Sequence, residues 1–298
     1  ATPPPPPPHV PLPELPAPHI PLPELPAPLL PHPLSISYEL TPCIVCGEQD
    51  ARLVVDAAGL RAERERLWEF HLRRLQPATP PERLADRVAF SQPDAMRLVE
   101  CRQCGFLYRN PVEREHEVTG LYAQESPDPE VLSALHATQL DTARAQARRL
   151  TRVTGRAGTV VEVGSFVGGF LVAARELGWD ARGIDVNAEV NTWLRARGEK
   201  VDDGTLAASN SAPVDVVAFW NCFDQLADPA AALRDARARL GPGGHVVVRV
   251  PNGACYARLR SRQDRLAEAI LATNNLLGFP YRFGFTTGSL TRLLERAG

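Results

Sequence analysis

Lysine and methionine are nearly missing from this sequence: Lys200 and Met96 are the only ones in 298 residues. Almost every cation is therefore arginine. With 29 prolines and abundant alanine, this reads as coding bias rather than phosphate recognition. An excess of either charge is also lacking. Thirty-three basic against 35 acidic side chains leave a formal charge of -2, so nothing draws the chain toward nucleic acid in general. No apolar run approaches the roughly 18 residues of a membrane span, and no basic-then-apolar leader opens the chain. These absences predict a cytoplasmic protein with no membrane partner. They leave its oligomeric state open. The chain opens on Ala1 rather than Met and stops at Gly298, just after a helical pattern. The expectation is a fragment that lacks its last strands, unstable or inactive alone.

Residues 1–36 cannot build a core. A run from Pro3 to Pro8 is followed by two copies of a ten-residue Pro/Leu/Glu unit, beginning at His9 and His19. Proline removes backbone donors and fixes φ, so a disordered, polyproline-like tail is expected, a semi-rigid spacer rather than a ligand for a proline-binding domain.

Six cysteines are present. Four form two CxxC pairs, Cys43/Cys46 and Cys101/Cys104, each followed by glycine. Cys222 and Cys255 stand alone. Paired CxxC without a secretion signal points to metal rather than disulfides. Four thiolates can hold Zn²⁺ tetrahedrally in a closed, structural site, with glycine permitting the tight turn behind each pair. His71 or His116 would serve only if a cysteine were absent. The module spans 37–112, and an Arg/Glu-rich insert with an amphipathic helix over 60–75 (Leu60, Leu67, Phe70, Leu75) separates its knuckles. Residues 113–155 read as a helical bridge.

From 156 to 298 short apolar strands alternate with helices. Strands are expected at 159–163, 182–186, 200–203, 214–220 and 245–250, and helices at 170–177, 188–197 and 230–240. This alternation predicts an α/β fold, a doubly wound parallel sheet covered on both faces. The first strand runs into Glu162-Val-Gly164-Ser165-Phe166-Val-Gly168, a glycine turn that opens a helix and suits close approach of a ligand. Asp185 ends the next strand, where a carboxylate can accept ribose hydroxyls. Phe166 stands where a GxGxxG loop needs its second glycine, which argues against a nicotinamide enzyme.

Together these segments resemble the class I S-adenosylmethionine (SAM)-dependent methyltransferases, over roughly 158–298. Gly164-x-x-x-Gly168 fits that family's E/DxGxxxG loop. The resemblance implies a Rossmann-like sheet, SAM as cofactor, and a methyl acceptor that is a small molecule such as a nucleotide sugar. It places Glu162, Gly164, Ser165, Phe166 and Gly168 around the methionine part of SAM, Asp185 and Val186 on the ribose, Thr205 and Leu206 near the adenine, and Asn221 beside the sulfonium. Many relatives read Leu-Glu-His after the fourth strand. Here Phe223-Asp224-Gln225 stands instead, so Gln225 supplies no base, and Asp224 is expected to hold loop geometry. If the acceptor must lose a proton, the candidate bases are Tyr281, Tyr122 and His116. The cysteine module and the string from Gly105 to Pro111, followed by Leu121-Tyr122, resemble the zinc ribbon ahead of bacterial sugar C-methyltransferases. Two alternatives are an RNA methyltransferase whose zinc module grips RNA, and a zinc-stabilised SAM-binding scaffold without turnover.

Overall fold

The structure is a computed structural model. It describes residues 38–60, 62–63, 66, 97–114, 119–120, 122–123, 128–209, 212–262, 264–274 and 282–298. The tail 1–36 and most of the insert helix lie outside these residues. Of the latter, 60, 62–63 and 66 are described and are helical, and the helix begins earlier, at 57.

Strands β6 (Thr159–Val163), β7 (Asp180–Asp185), β8 (Val201–Asp203), β9 (Val214–Phe219) and β10 (Leu240–Val248) form one sheet, ordered β10-β9-β6-β7-β8. Every pairing in it is parallel. The chain leaves β6 in one direction for β7 and β8, then returns to the other side of β6 as β9. This reversal opens a crevice at the carboxyl ends of β6 and β9, where open α/β sheets bind ligands.

Alternate side chains explain the burial of both faces. Val160, Val216 and Ala218 pack into one core under α1 (Pro129–Thr154), α2 (Gly169–Glu176) and α3 (Ala188–Arg195). Val161, Val217 and Phe219 enter a second core with Leu233 of α4 (Pro229–Arg239) and Leu293 of α7 (Thr287–Ala297). Side-chain carboxyls, amides and hydroxyls cap the starts of all of these helices but α2, whose cap is Gly168. Asp128, Asn187 and Asp228 accept backbone N–H groups of α1, α3 and α4, and Thr286 and Ser289 form a capping box on α7.

The strand expected at 245–250 begins earlier, because Leu240 pairs with Val214 across an irregularity before His245. The bridge expected over 113–155 is corrected more substantially. Within it α1 buries Leu132, Ala143, Ala147 and Leu150 against the sheet's first core, so it covers the sheet.

The cysteine module builds a four-stranded antiparallel sheet, ordered β11-β4-β3-β2. It uses β2 (Ala51–Val55), β3 (Leu98–Cys101), β4 (Leu107–Arg109) and β11 (Phe283–Gly284), while β1 (Tyr38–Glu39) pairs with β5 (Val112–Glu113). Strand β11 comes from the far end of the chain. Cys43, Cys101, Phe106 and Tyr108 share the second core with Val217, Phe223 and Phe285. The expected boundaries at 112 and 155 therefore mark no break in packing: residues 36–298 form one compact unit. A buried polar contact ties the insert to α5 (Gly253–Leu259), the helix before α6 (Arg265–Asn274): the Tyr256 hydroxyl donates to Glu63 Oε2 at 2.6 Å, and Arg260 Nη2 to Glu63 Oε1 at 2.8 Å. Among the described residues no helix is long and apolar enough to cross a membrane.

Candidate functional site

The loop after β6 is bent by three left-handed residues: Gly164 (φ 70°), Phe166 (φ 41°) and Gly168 (φ 67°). A side chain at 164 has no room, since its Cβ would lie 2.7 Å from Cys222 Cβ. One at 168 would meet Leu194 Cδ2 at 2.6 Å. The two glycines therefore answer both backbone conformation and close approach. Alanine at 164 is expected to destabilise the protein by about 1–3 kcal/mol, read as a lower urea midpoint. A midpoint equal to that of the parent protein would contradict this loop geometry.

Phe166 is a bulky residue in a conformation such residues rarely adopt. Its amide donates to Asp185 Oδ2 at 2.9 Å, and the Asn187 amide donates to Asp185 Oδ1 at 3.0 Å. Asp185 is thus a brace for the loop as well as a carboxylate at its mouth. Burial pushes its carboxyl above the ordinary value, and the amides of Asn187, Phe166 and Val186 pull it back. Glu162 lies beneath, 6% exposed, and its Oε2 has no hydrogen-bond partner among the described residues. Burial, reinforced by the charge of Asp185, pushes Glu162 well above the usual carboxylate range. The Cys222 thiol is pushed up by burial and by the nearby carboxyls of Asp224, Glu162 and Asp185. Three carboxyls around one loop make this end of the sheet suited to a cation.

The expected SAM residues are distributed along this edge in different ways. Glu162, Gly164, Phe166, Gly168 and Asp185 come together. Ser165 joins them only through its backbone: its hydroxyl points inward, close over Gly183, and is 5% exposed at the residue level. Val186 follows Asp185 into the turn before α3. Thr205 is exposed after β8, whereas Leu206 is buried in the second core. Asn221 is exposed at the end of β9, and its side-chain oxygen accepts from Arg249.

Tyr122 links the segments that follow β9 and β7, the two strands that flank β6. Its hydroxyl donates to Gln225 Oε1 at 2.7 Å, and its carbonyl accepts from Asn187 Nδ2 at 2.8 Å. The other two candidate bases, His116 and Tyr281, lie outside the described residues. The role expected for Asp224 is corrected in its details. Its main-chain carbonyl holds the loop, accepting from the Arg282 amide at 3.0 Å. Neither carboxyl oxygen has a hydrogen-bond partner among the described residues. Asn187 was not singled out from the sequence, although an asparagine directly before a helical pattern is a capping signal.

A second cluster lies in the cysteine module. The sulfurs of Cys43, Cys46, Cys101 and Cys104 all fall within 4.8 Å of one another. Cys43–Cys104 and Cys46–Cys101 are each 3.5 Å apart, and none of the four is in a disulfide. Gly47 (φ 82°) and Gly105 (φ 68°) turn the backbone behind each pair. Four sulfurs about 2.3 Å from one zinc ion would sit about 3.8 Å from each other, so the donor set fits Zn²⁺. As free thiols, Cys43 and Cys104 are pushed up by burial, Cys104 to about 11; a bound cation would reverse that cost.

Among solved structures the chain is similar to a protein from Nostoc punctiforme PCC 73102, at 17% identity over 57% of this chain and 53% of that one, TM-score 0.43. It is also similar to a SAM-dependent methyltransferase from Thermotoga maritima, at 22% identity over 55% and 73%, TM-score 0.41. The glycopeptide N-methyltransferase MtfA in complex with SAM matches at 20% identity over 38% and 56%, TM-score 0.35. The chain spans about half the length of the first and third of these. No curated protein sequence matches it. A family model described as "Methyltransferase domain" matches residues 135–298, more than half of the chain, which therefore belongs to that methyltransferase family.

Proposed function

We propose that the crevice above β6 binds SAM and that the chain transfers its methyl group to a small-molecule acceptor. The observation that carries this reading is the left-handed loop 164–168, closed onto Asp185, with the buried, unpartnered Glu162 oxygen beneath it. SAM brings a methyl group already activated on a sulfonium. The protein's part is to bind, orient and exclude water. Glu162 would face the ammonium of the methionine part, where a cation offsets its buried charge. Gly164, Phe166 and Gly168 let the loop backbone come close. Asp185 keeps lone pairs for the ribose hydroxyls while bracing the loop, and Val186 follows it. Thr205 and Leu206 would border the adenine, and Asn221 the sulfonium.

Gln225 does not serve as a base, since its amide bonds Tyr122 and the Asn221 carbonyl. Tyr122, His116 and Tyr281 remain the groups to test if the acceptor must lose a proton. Cys43, Cys46, Cys101 and Cys104 would hold a structural Zn²⁺ without an open position. The near-neutral total charge favours a small acceptor over RNA.

Calorimetric titration with S-adenosylhomocysteine tests the cofactor assignment. The protein is expected to bind it, and Asp185→Ala to weaken binding by about 1.5–3 kcal/mol, the range for hydrogen bonds to a charged group. Equal affinity in the two proteins would remove Asp185 from the site, and no binding by the parent would remove the whole reading.

A further inference from the structure

Strain at Phe166 is held from one side by Asp185, and a second contact holds it from the other. His136, in the second turn of α1, places its Nδ1 at 2.7 Å from the Val167 carbonyl oxygen. A carbonyl only accepts, so Nδ1 carries the proton and donates. The ring is fixed in turn. It lies edge-on to Trp193 at 6.1 Å, and the Arg197 guanidinium sits over that indole at 3.7 Å. Arg197 also reaches Ser133 on α1 at 3.3 Å. Helices α1 and α3 thus meet beside residues 166–168.

We propose that His136 is a positioning residue for the cofactor loop, acting through the Val167 carbonyl and touching neither cofactor nor acceptor. A non-glycine residue at positive φ persists only where its surroundings over-determine it. Here the Phe166 amide is pinned to β7 through Asp185, and the carbonyl of the next residue, Val167, is pinned to α1 through His136. With only the first pin, Phe166 can relax to negative φ, which re-aims the amides that line the crevice. The sheet and its core stay as they are. The methyltransferase motif therefore depends on a helix outside it, one whose sequence reads as a bridge.

The inference rests on the SAM reading, and its test separates the two. Three variants are compared with the parent protein: His136→Leu, which keeps bulk against Trp193 without a donor; His136→Asn, whose amide nitrogen sits where Nδ1 sits; and His136→Gln, whose donor lies one bond too far out. S-adenosylhomocysteine affinity is expected to fall about tenfold in the Leu and Gln variants, as for a lost buried hydrogen bond, and to stay within about twofold in the Asn variant. In ligand-free protein, amide exchange at 166–168 should quicken in Leu and Gln but not in Asn, a readout independent of which cofactor binds. Should the Leu protein fail to fold, the Asn and Gln pair gives the same comparison. Parent-like affinity and exchange in the Gln variant would overturn the proposal, as would an Asn variant no better than Gln. Exchange that follows the expected pattern in a protein that does not bind S-adenosylhomocysteine would uphold the clamp and sink the SAM reading instead.

Discussion

Serine in place of Cys43 is expected to abolish the zinc binding proposed for the four-cysteine cluster and to lower the stability of the whole chain, not of the cysteine module alone. Structural zinc contributes about 10–16 kcal/mol of apparent folding free energy in small four-ligand peptides, against roughly 5–15 kcal/mol for the net stability of an ordinary domain. Read from the sequence, the module is a separate unit, and its loss would leave the cofactor crevice intact. The packing gives a different result. Cys43, Val45 and Phe106 share a core with Phe219, Phe223 and Phe285, and β11 crosses from the chain's far end to pair with β4. Unfolding the knuckles therefore uncovers one face of the parallel sheet and frees the segment that leads into α7. Metal analysis should find about one zinc per parent chain and none in Cys43→Ser. Calorimetry should show one transition, shifted to lower temperature, with weakened S-adenosylhomocysteine binding. A variant with normal affinity and a single small, separate low-temperature transition would restore the two-unit picture. A parent protein free of metal but equally stable would remove the zinc assignment.

What the sequence made legible follows from which features are local. Gly164, Gly168 and the two glycines behind the cysteine pairs answer to backbone conformation at their own positions, so residue type alone marks them. The central strands β6 and β9 were legible because burial on both faces leaves apolar runs, as in Val216–Phe219. The four cysteines were legible as a set because thiols three positions apart can face one ion. Other features were not local. The positive φ of Phe166 is imposed by Asp185 and His136 from two other elements, and nothing in its side chain announces it. Strand β11 has two residues, too few for any periodicity, and its partner β4 lies far earlier in the chain. Helix α1 buries only Leu132, Ala143, Ala147 and Leu150 along its 26 residues, so its arginines dominate the pattern and it reads as a bridge. Gln225 was noted for lacking the chemistry of histidine. Its tie to Tyr122 came only with the fold.

Asparagine at 224 is expected to make the protein more stable at pH 8 and to change little at pH 4. Asp224 is fully buried, and neither carboxyl oxygen has a hydrogen-bond partner among the described residues. Burial pushes its pKa up from 3.8 to about 7, with only partial relief from its own amide and from Arg249. The folded value lies above the unfolded one, so the folded state binds the proton more tightly. The stability linked to that proton is complete below about pH 4, where both states are protonated, and is lost as pH rises through about 7. Above that the ionised carboxylate costs at most about 4 kcal/mol. Asparagine keeps the size and polarity without the charge and escapes this loss. For a chain of this length about 2–4 °C accompanies each kcal/mol, so the thermal midpoint of Asp224→Asn should exceed the parent's by about 5–10 °C at pH 8, with the two curves converging toward pH 4. A constant difference across that range would mean that the gain has nothing to do with ionisation. A less stable variant at pH 8 would mean that the charge is compensated. A residue that costs stability at neutral pH and persists beside the crevice also invites a functional comparison. Methyl transfer by Asp224→Asn, measured beside its stability, shows whether the buried charge serves turnover or only burdens the fold.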